Sequence, residues 1–187
     1  MSTNVVTDEM SPDLLHHVPG LDSARVGYPA SWAMRSIGPS NWAHATVCAW
    51  VSAWLQLRGH SWWSDREIAG DVFWRRTVRY SDHRGTARIA HRPDLAVEIA
   101  AGPAAVEVEV QRKSRARLLA ILHMYADSID EHDDPLAGLL YVCDRVDIAD
   151  IVRRAAWDAG LAEGPILSVR IMGEVVGQAR TAAASSV

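Results

Sequence analysis

From Ala104 to Arg112 the chain runs AAVEVEVQR, and this alternation constrains the fold more than any other feature. On a strand, successive side chains point to opposite faces. Val106, Val108 and Val110 therefore share one face, and Glu107, Glu109, Gln111 and Lys113 share the other. The valine face calls for cover by a helix. The polar face is costly to bury unless its groups are paired. An exposed edge hairpin with a solvated polar face is the simpler alternative. An unbroken valine face behind the two glutamates predicts a central strand instead.

A preceding segment, Pro93–Ala100, has strand character too, and Gly102-Pro103 separates the two. A turn centred there predicts Asp94 opposite Glu109 to Gln111, with Glu98 nearer Glu107. Asp94 and Glu109 then converge. Paired hard oxygen ligands suit Mg²⁺ or Mn²⁺. Such an ion acidifies a bound water and offsets charge on a phosphate. Lys113 is placed to orient a nucleophile or to stabilise that charge.

The rest of the pattern is mixed α/β, a central mixed sheet flanked by helices. Ser40 predicts the cap of a helix from about Asn41 to Arg58, whose Ala43, Val47, Trp50, Trp54 and Leu57 form one apolar stripe. Ser64 and Glu67 have capping-box spacing for a shorter helix. Asp71–Tyr80 reads as a strand and Ser81–Thr86 as a turn. Ser114 caps a predicted helix to about Ile129. Ala137–Cys143 reads as a strand buried on both faces. Asp147 is the expected cap of a helix closed by Gly160, and Ile166–Met172 is the last strand expected. Residues 1–39, punctuated by four prolines, predict an irregular arm with one short helix near Asp13–His17. The domain is expected over 40–175, with a flexible tail over 176–187.

At 187 residues one domain with a sizeable core is expected. The opening MSTNVVTDEMSPD has neither a positive region nor an apolar core, so no secretory signal is expected. No apolar run approaches the roughly 18 residues of a membrane span. Cys48 and Cys143 stand alone in apolar segments, which predicts buried free thiols in a cytoplasmic protein and argues against a zinc site. The net charge of −4 gives no overall signal for nucleic acid. Its distribution is more telling. Arg112, Lys113, Arg115 and Arg117 lie close together, and Asp127, Asp130, Glu131, Asp133 and Asp134 follow. Two solvated surfaces are one account of these runs. Arg115 and Arg117 also open a helix, where the dipole disfavours cations, and that favours an anion-facing role.

Other side chains carry two readings each. His44, off the apolar stripe of its helix, is either a hydrogen-bonded structural residue or a proton shuttle beside the acids. His91 and Arg92 either flank a turn or touch phosphate. Tyr125 reads first as core and second as a neighbour of the site. Trp62-Trp63 reads as packing before base stacking. No Ser-His-Asp order, phosphate-binding glycine loop or dinucleotide fingerprint is present.

Pro93-Asp94, a twelve-residue gap, then Glu107-x-Glu109 with Gln111 and Lys113 resembles the PD-(D/E)xK nuclease superfamily. The resemblance implies a restriction-endonuclease-like core, in the order helix, three strands, helix, strand. It implies metal binding by Asp94 and Glu109, with Gln111 at the position where the superfamily carries lysine. Lys113 on the same face is its substitute, and Glu67 or Glu107 assists. A narrower resemblance covers about Asn41 to Ala126. His44-AlaThrVal, SDRE at Ser64–Glu67, RPD at Arg92–Asp94 and VEVEVQRKSRARLLAILHMYA from Val106 look like the actinobacterial replication-relaxation family. That family's nuclease-like domain follows a winged helix, for which residues 1–39 are too short and irregular. These resemblances imply a DNA-processing protein of a plasmid, phage or other mobile element, with Arg92, Arg112, Arg115 and Arg117 on the DNA backbone. Two other functions stay open: a non-cleaving DNA-binding replication factor, and a factor that binds a host protein, through arm 1–39 for example. A homodimer also stays open.

Overall fold

The computed structural model describes residues 39–82, 85–131 and 135–184. The helix expected near Asp13–His17 and nearly all of the arm fall outside them. Helix α1 (Pro39–Leu57) begins two residues before the expected start, at a proline that suits a first helical position. Strand β1 (Trp62–Ser64) follows, then the one-turn helix α2 (Asp65–Ile68). Its capping box forms as predicted, Ser64 accepting from the Glu67 N–H while the Glu67 carboxylate accepts from the Ser64 N–H at 2.7 Å.

The strand expected over Asp71–Tyr80 starts later. Val72–Trp74 is a 3₁₀ turn, held by Asp71 accepting from the Phe73 N–H at 2.9 Å. Strands β2 (Arg76–Asp82) and β3 (Gly85–His91) then form a two-stranded antiparallel ribbon of their own, where a single strand and a turn were expected. Strand β4 (Leu95–Ile99) and strand β5 (Gly102–Glu109) are the predicted hairpin. Helix α3 (Arg115–Ile129) is capped by Ser114 as expected. Strand β6 (Gly138–Cys143), helix α4 (Val146–Asp158) and strand β7 (Leu167–Ile171) complete the sheet. The cap of α4 is Arg145 rather than Asp147. Asp147 lies in the first turn, where its carboxylate accepts from the Arg145 guanidinium instead of from the helix backbone.

The central sheet is mixed, with strands in the order β1-β4-β5-β6-β7. Both β1–β4 and β4–β5 are antiparallel, and β5–β6 and β6–β7 are parallel. Strand β5 is central, as its two-sided pattern requires. Val106 and Val108 pack into an apolar layer with Val47, Trp50 and Val51 of α1. The opposite layer is built from α3 and α4 around Ile121, Leu122, Tyr125, Ile148 and Val152. Helix α5 (Met172–Ala184) joins the α1 layer, with Met172, Val175 and Ala179 buried. The boundary drawn at 175 therefore falls inside a helix, and most of the expected tail is folded structure. Spaced apolar residues among alanines hold it there.

The hairpin register differs from the expected one. Ile99 pairs with Gly102 and Leu95 with Val106, so the turn is Ala100-Ala101. Gly102, at φ +125°, opens β5 in a conformation that favours glycine. Pro103 sits inside the strand, opposite Glu98. Asp94 is consequently level with Glu107, not with Glu109 to Gln111.

The outer edge of β7 is occupied by side chains. Arg153 of α4 donates to the Val169 carbonyl at 3.1 Å, and Glu163 accepts from the Val169 N–H at 3.2 Å. Arg153 and Glu163 are themselves joined at 3.0 Å. No helix among the described residues is long and apolar enough to cross a membrane.

Candidate active site

Three carboxylates meet where β4 begins and β5 ends. Glu107 and Glu109 are 2% and 5% exposed, so both need partners. Glu107 has two. The Tyr125 hydroxyl of α3 and His91 Nε2, the latter at 2.8 Å, both donate to its Oε1. The two rings meet edge to face at 5.9 Å. Burial, and then the Glu107 charge, push the Tyr125 hydroxyl well above its usual pKa and keep it a donor.

Asp94 stands one residue before β4. Its backbone N–H reaches the Val106 carbonyl at 3.0 Å. Its Oδ2 accepts from the Val108 N–H at 2.8 Å, taking the place of a strand carbonyl that β4 does not supply there. Its Oδ1 faces His44 Nε2 at 3.2 Å. The hydrogen bond to Asp94 raises the His44 pKa, against the opposing effect of burial. His44 Nδ1 lies 3.7 Å from Cys48 Sγ, one helical turn on. Cys48, His44 and Asp94 thus form a chain in the order of a thiol triad. Burial holds the Cys48 thiol well above its ordinary pKa, and Cys48 is not in the cleft wall. Protonated and outside the cleft wall, Cys48 is a neighbour of His44 and not a nucleophile.

Glu109 is bonded to the Lys113 ammonium. Burial raises the Glu109 pKa, Lys113 pulls it down, and Glu107 and Asp94 push it up further. An open cleft of about 320 Å³ lies over these groups. His44, His91, Arg92, Asp94, Glu107 and Glu109 line it, together with Gln111, Lys113 and Arg117. Arg117 Nε is buried there without a hydrogen-bond partner.

Of the residues expected at the site, Asp94, Glu107, Glu109, Gln111 and Lys113 are brought together. Gln111 is exposed beyond the end of β5, so strand parity no longer sets its direction. Lys113 returns to the cleft by reaching back to Glu109. Glu67 does not join them. Its carboxylate is spent on Ser64, receiving both the N–H and the hydroxyl, and it lines a separate depression beside Trp63. Of the helices before the hairpin, α1 rather than α2 reaches the cleft, through His44.

The arginines divide as well. Arg92 and Arg117 line the cleft, although Arg92 is also tied to the Ala69 carbonyl at 3.2 Å and lies 3.7 Å from Asp65. Arg115 turns away to Asp158 at 2.7 Å, and Arg112 is exposed outside the cleft wall. Sequence reasoning favoured core packing for Tyr125 and a structural role for His44, and it paired neither with a particular acid. The His44/Cys48 spacing of four on a helix was the available signal for one of these links.

Among the described residues, no group of three or more His, Cys, Asp and Glu side chains stands in a metal-holding arrangement. The donor chemistry nonetheless fits a hard divalent ion. Asp94 and Glu109 are carboxylates that line one cleft, the oxygen donors such an ion takes.

The chain matches no family model, no curated protein and no solved structure. Fold and site together define a mixed α/β domain with a carboxylate-lined cleft at the mouth of its central antiparallel hairpin.

Proposed function

We propose that the chain is a DNA-processing protein of a plasmid, phage or other mobile element, and that the cleft hydrolyses phosphodiesters. The observation carrying this reading is the convergence of Asp94, just before β4, with Glu107 and Glu109 of β5, while Lys113 and Arg117 line the same cleft. It agrees with the PD-(D/E)xK resemblance. Asp94 and Glu109 would hold Mg²⁺ or Mn²⁺, which supplies Lewis acidity to a phosphate and lowers the pKa of water. Asp94 is oriented by the Val108 N–H and by His44. Lys113 balances Glu109 and presents a positive charge to a phosphate oxygen. Arg117 offers a guanidinium whose Nε has no internal acceptor. His44 holds a proton on Nε2 at the cleft wall. The site of action would be cytoplasmic, where plasmid and phage DNA lie. The purified chain should nick or cut supercoiled plasmid with Mg²⁺ or Mn²⁺. Asp94→Ala and Glu109→Ala should each abolish cutting, and undiminished cutting by either overturns this mechanism.

One observation favours a second reading, a DNA-binding replication factor that does not cut. Each of the three carboxylates already has a protein donor, and Gln111 stands outside the strand. This reading predicts salt-sensitive DNA retention without cleavage by the wild type.

A further inference from the structure

The β2–β3 ribbon lies outside the central sheet, and its two faces differ sharply. The inner residues Val78, Tyr80 and Ile89 pack on the α3 layer. Arg76, also inward, bonds the Ser128 hydroxyl at 3.2 Å and lies 5.3 Å over the Phe73 ring. The outer face is exposed and consists of three cross-strand pairs: Thr77 with Ala90, Arg79 with Arg88, and Ser81 with Thr86. The last pair is closed by a hydroxyl–hydroxyl bond of 2.8 Å.

The central pair is the anomaly. Like charges directly opposite on neighbouring strands destabilise a hairpin. Among the described residues no carboxylate shares this face, and neither guanidinium has an acidic partner. Arg115 pairs with Asp158 and Arg145 with Asp147, whereas exposed Arg66, Arg75, Arg112 and Arg154 also have no acidic partner among the described residues. What sets Arg79 and Arg88 apart is that each faces a like charge across a strand pair. In a chain with more acids than bases, two opposed arginines with no counter-ion among the described residues call for an anion from outside.

The shape of the element narrows the choice. A two-stranded ribbon fits the major groove of B-form DNA, roughly 12 Å wide. Guanidinium groups pair with phosphate oxygens by two parallel hydrogen bonds. Strand β3 also runs directly into the cleft: it ends at His91, and both His91 and Arg92 line the cleft wall.

We propose that the β2–β3 ribbon is a docking element for duplex DNA, in which Arg79 and Arg88 hold phosphates and deliver the duplex to the cleft. The inference rests on the DNA-processing reading for its partner, but it does not depend on cleavage.

The test is fluorescence anisotropy of the full chain with a labelled DNA duplex in EDTA, over a salt series. Arg79→Ala/Arg88→Ala should weaken binding at every salt concentration. It should flatten the dependence of log Kd on log salt by about one unit per arginine removed. Arg88→Glu separates binding from folding, because it places an acid opposite Arg79. Its thermal midpoint should equal or exceed that of the wild type while DNA binding falls. Unchanged affinity and salt slope in the double variant overturn the proposal. So does a wild type that binds no duplex DNA at low salt, or a loss confined to duplex RNA or to single strands. Plasmid cutting with Mn²⁺, measured on the same preparations, keeps the two readings apart. If Asp94→Ala binds normally and the ribbon variant does not, the ribbon stands even where nothing is cut. If the ribbon variant binds and cuts as the wild type does, the ribbon alone falls.

Discussion

Glu107 shows how one residue can be both core and chemistry. It is as buried as its valine neighbours, and its charge is carried by a tyrosine and a histidine from two other elements. Tyr125→Phe removes one of these donors and keeps the ring. It should cost about 1–3 kcal/mol in urea denaturation, the usual cost of leaving a buried polar group short of a partner. An unaltered urea midpoint would reject the bond. His44 adds a pH dependence. Its folded pKa lies above the ordinary 6.5 because of Asp94; Glu107 also raises it, and Lys113 and burial oppose. The fold therefore favours the protonated ring. Its stabilisation is complete below the ordinary pKa and fades as pH rises through the higher folded value. In EDTA, the stability difference between wild type and His44→Gln should be greatest in acid and shrink towards alkaline pH. A difference that does not vary with pH would reject the ion pair. The acids themselves were legible from strand parity. Their partners were not, because Tyr125 is 18 residues from Glu107 and meets it only through the packing of α3 on the sheet.

At the scale of elements, local signals are more legible than tertiary ones, although Asp147 is not the cap of α4. The Ser64–Glu67 box and the Ser114 cap are contained within a few residues, and both helices start where those residues place them. Strand β1 has only three residues, and its existence depends on pairing with β4, about thirty residues away. The turn expected over Ser81–Thr86 takes in only the first two residues of β3, and no element is expected over Ala87–His91, where Ile89 is the single large apolar residue. The Gly102-Pro103 pair looked like the turn itself and shifted the predicted register, although proline is tolerated near a strand's start. The parallel half of the sheet has a tight point of its own. A Cβ on Gly138 would lie 2.9 Å from the Ile166 carbonyl oxygen, which already accepts from the Leu139 N–H at 2.8 Å. Backbone cannot step aside as a side chain can. Gly138→Ala should therefore destabilise the chain by about 1–3 kcal/mol, read from chemical denaturation. Wild-type stability in that variant would show that the strands do not approach so closely.

For the whole molecule, the α1 layer is shared between the first described helix and the last. Val175 and Ala179 of α5 are buried with Trp50 and Val51 of α1. A chain ending at residue 175 should lose at least about 2 kcal/mol of unfolding free energy, since it uncovers that apolar face. Equal stability of the shortened chain would show the helix to be dispensable. The mixed α/β class was legible because helical stripes and alternating strands are properties of short windows. The closure of the domain by α5 was not, because small residues such as Ala179 become core only when another helix lies against them. The Arg153–Glu163 pair on Val169 has a consequence for assembly. An open sheet edge offers unpaired N–H and C=O groups to a second chain. Here an arginine and a glutamate hold one of each at Val169 on the β7 side, and the β1 side offers only three residues. Two copies that associate will therefore not do so by adding a strand at the β7 edge of the central sheet.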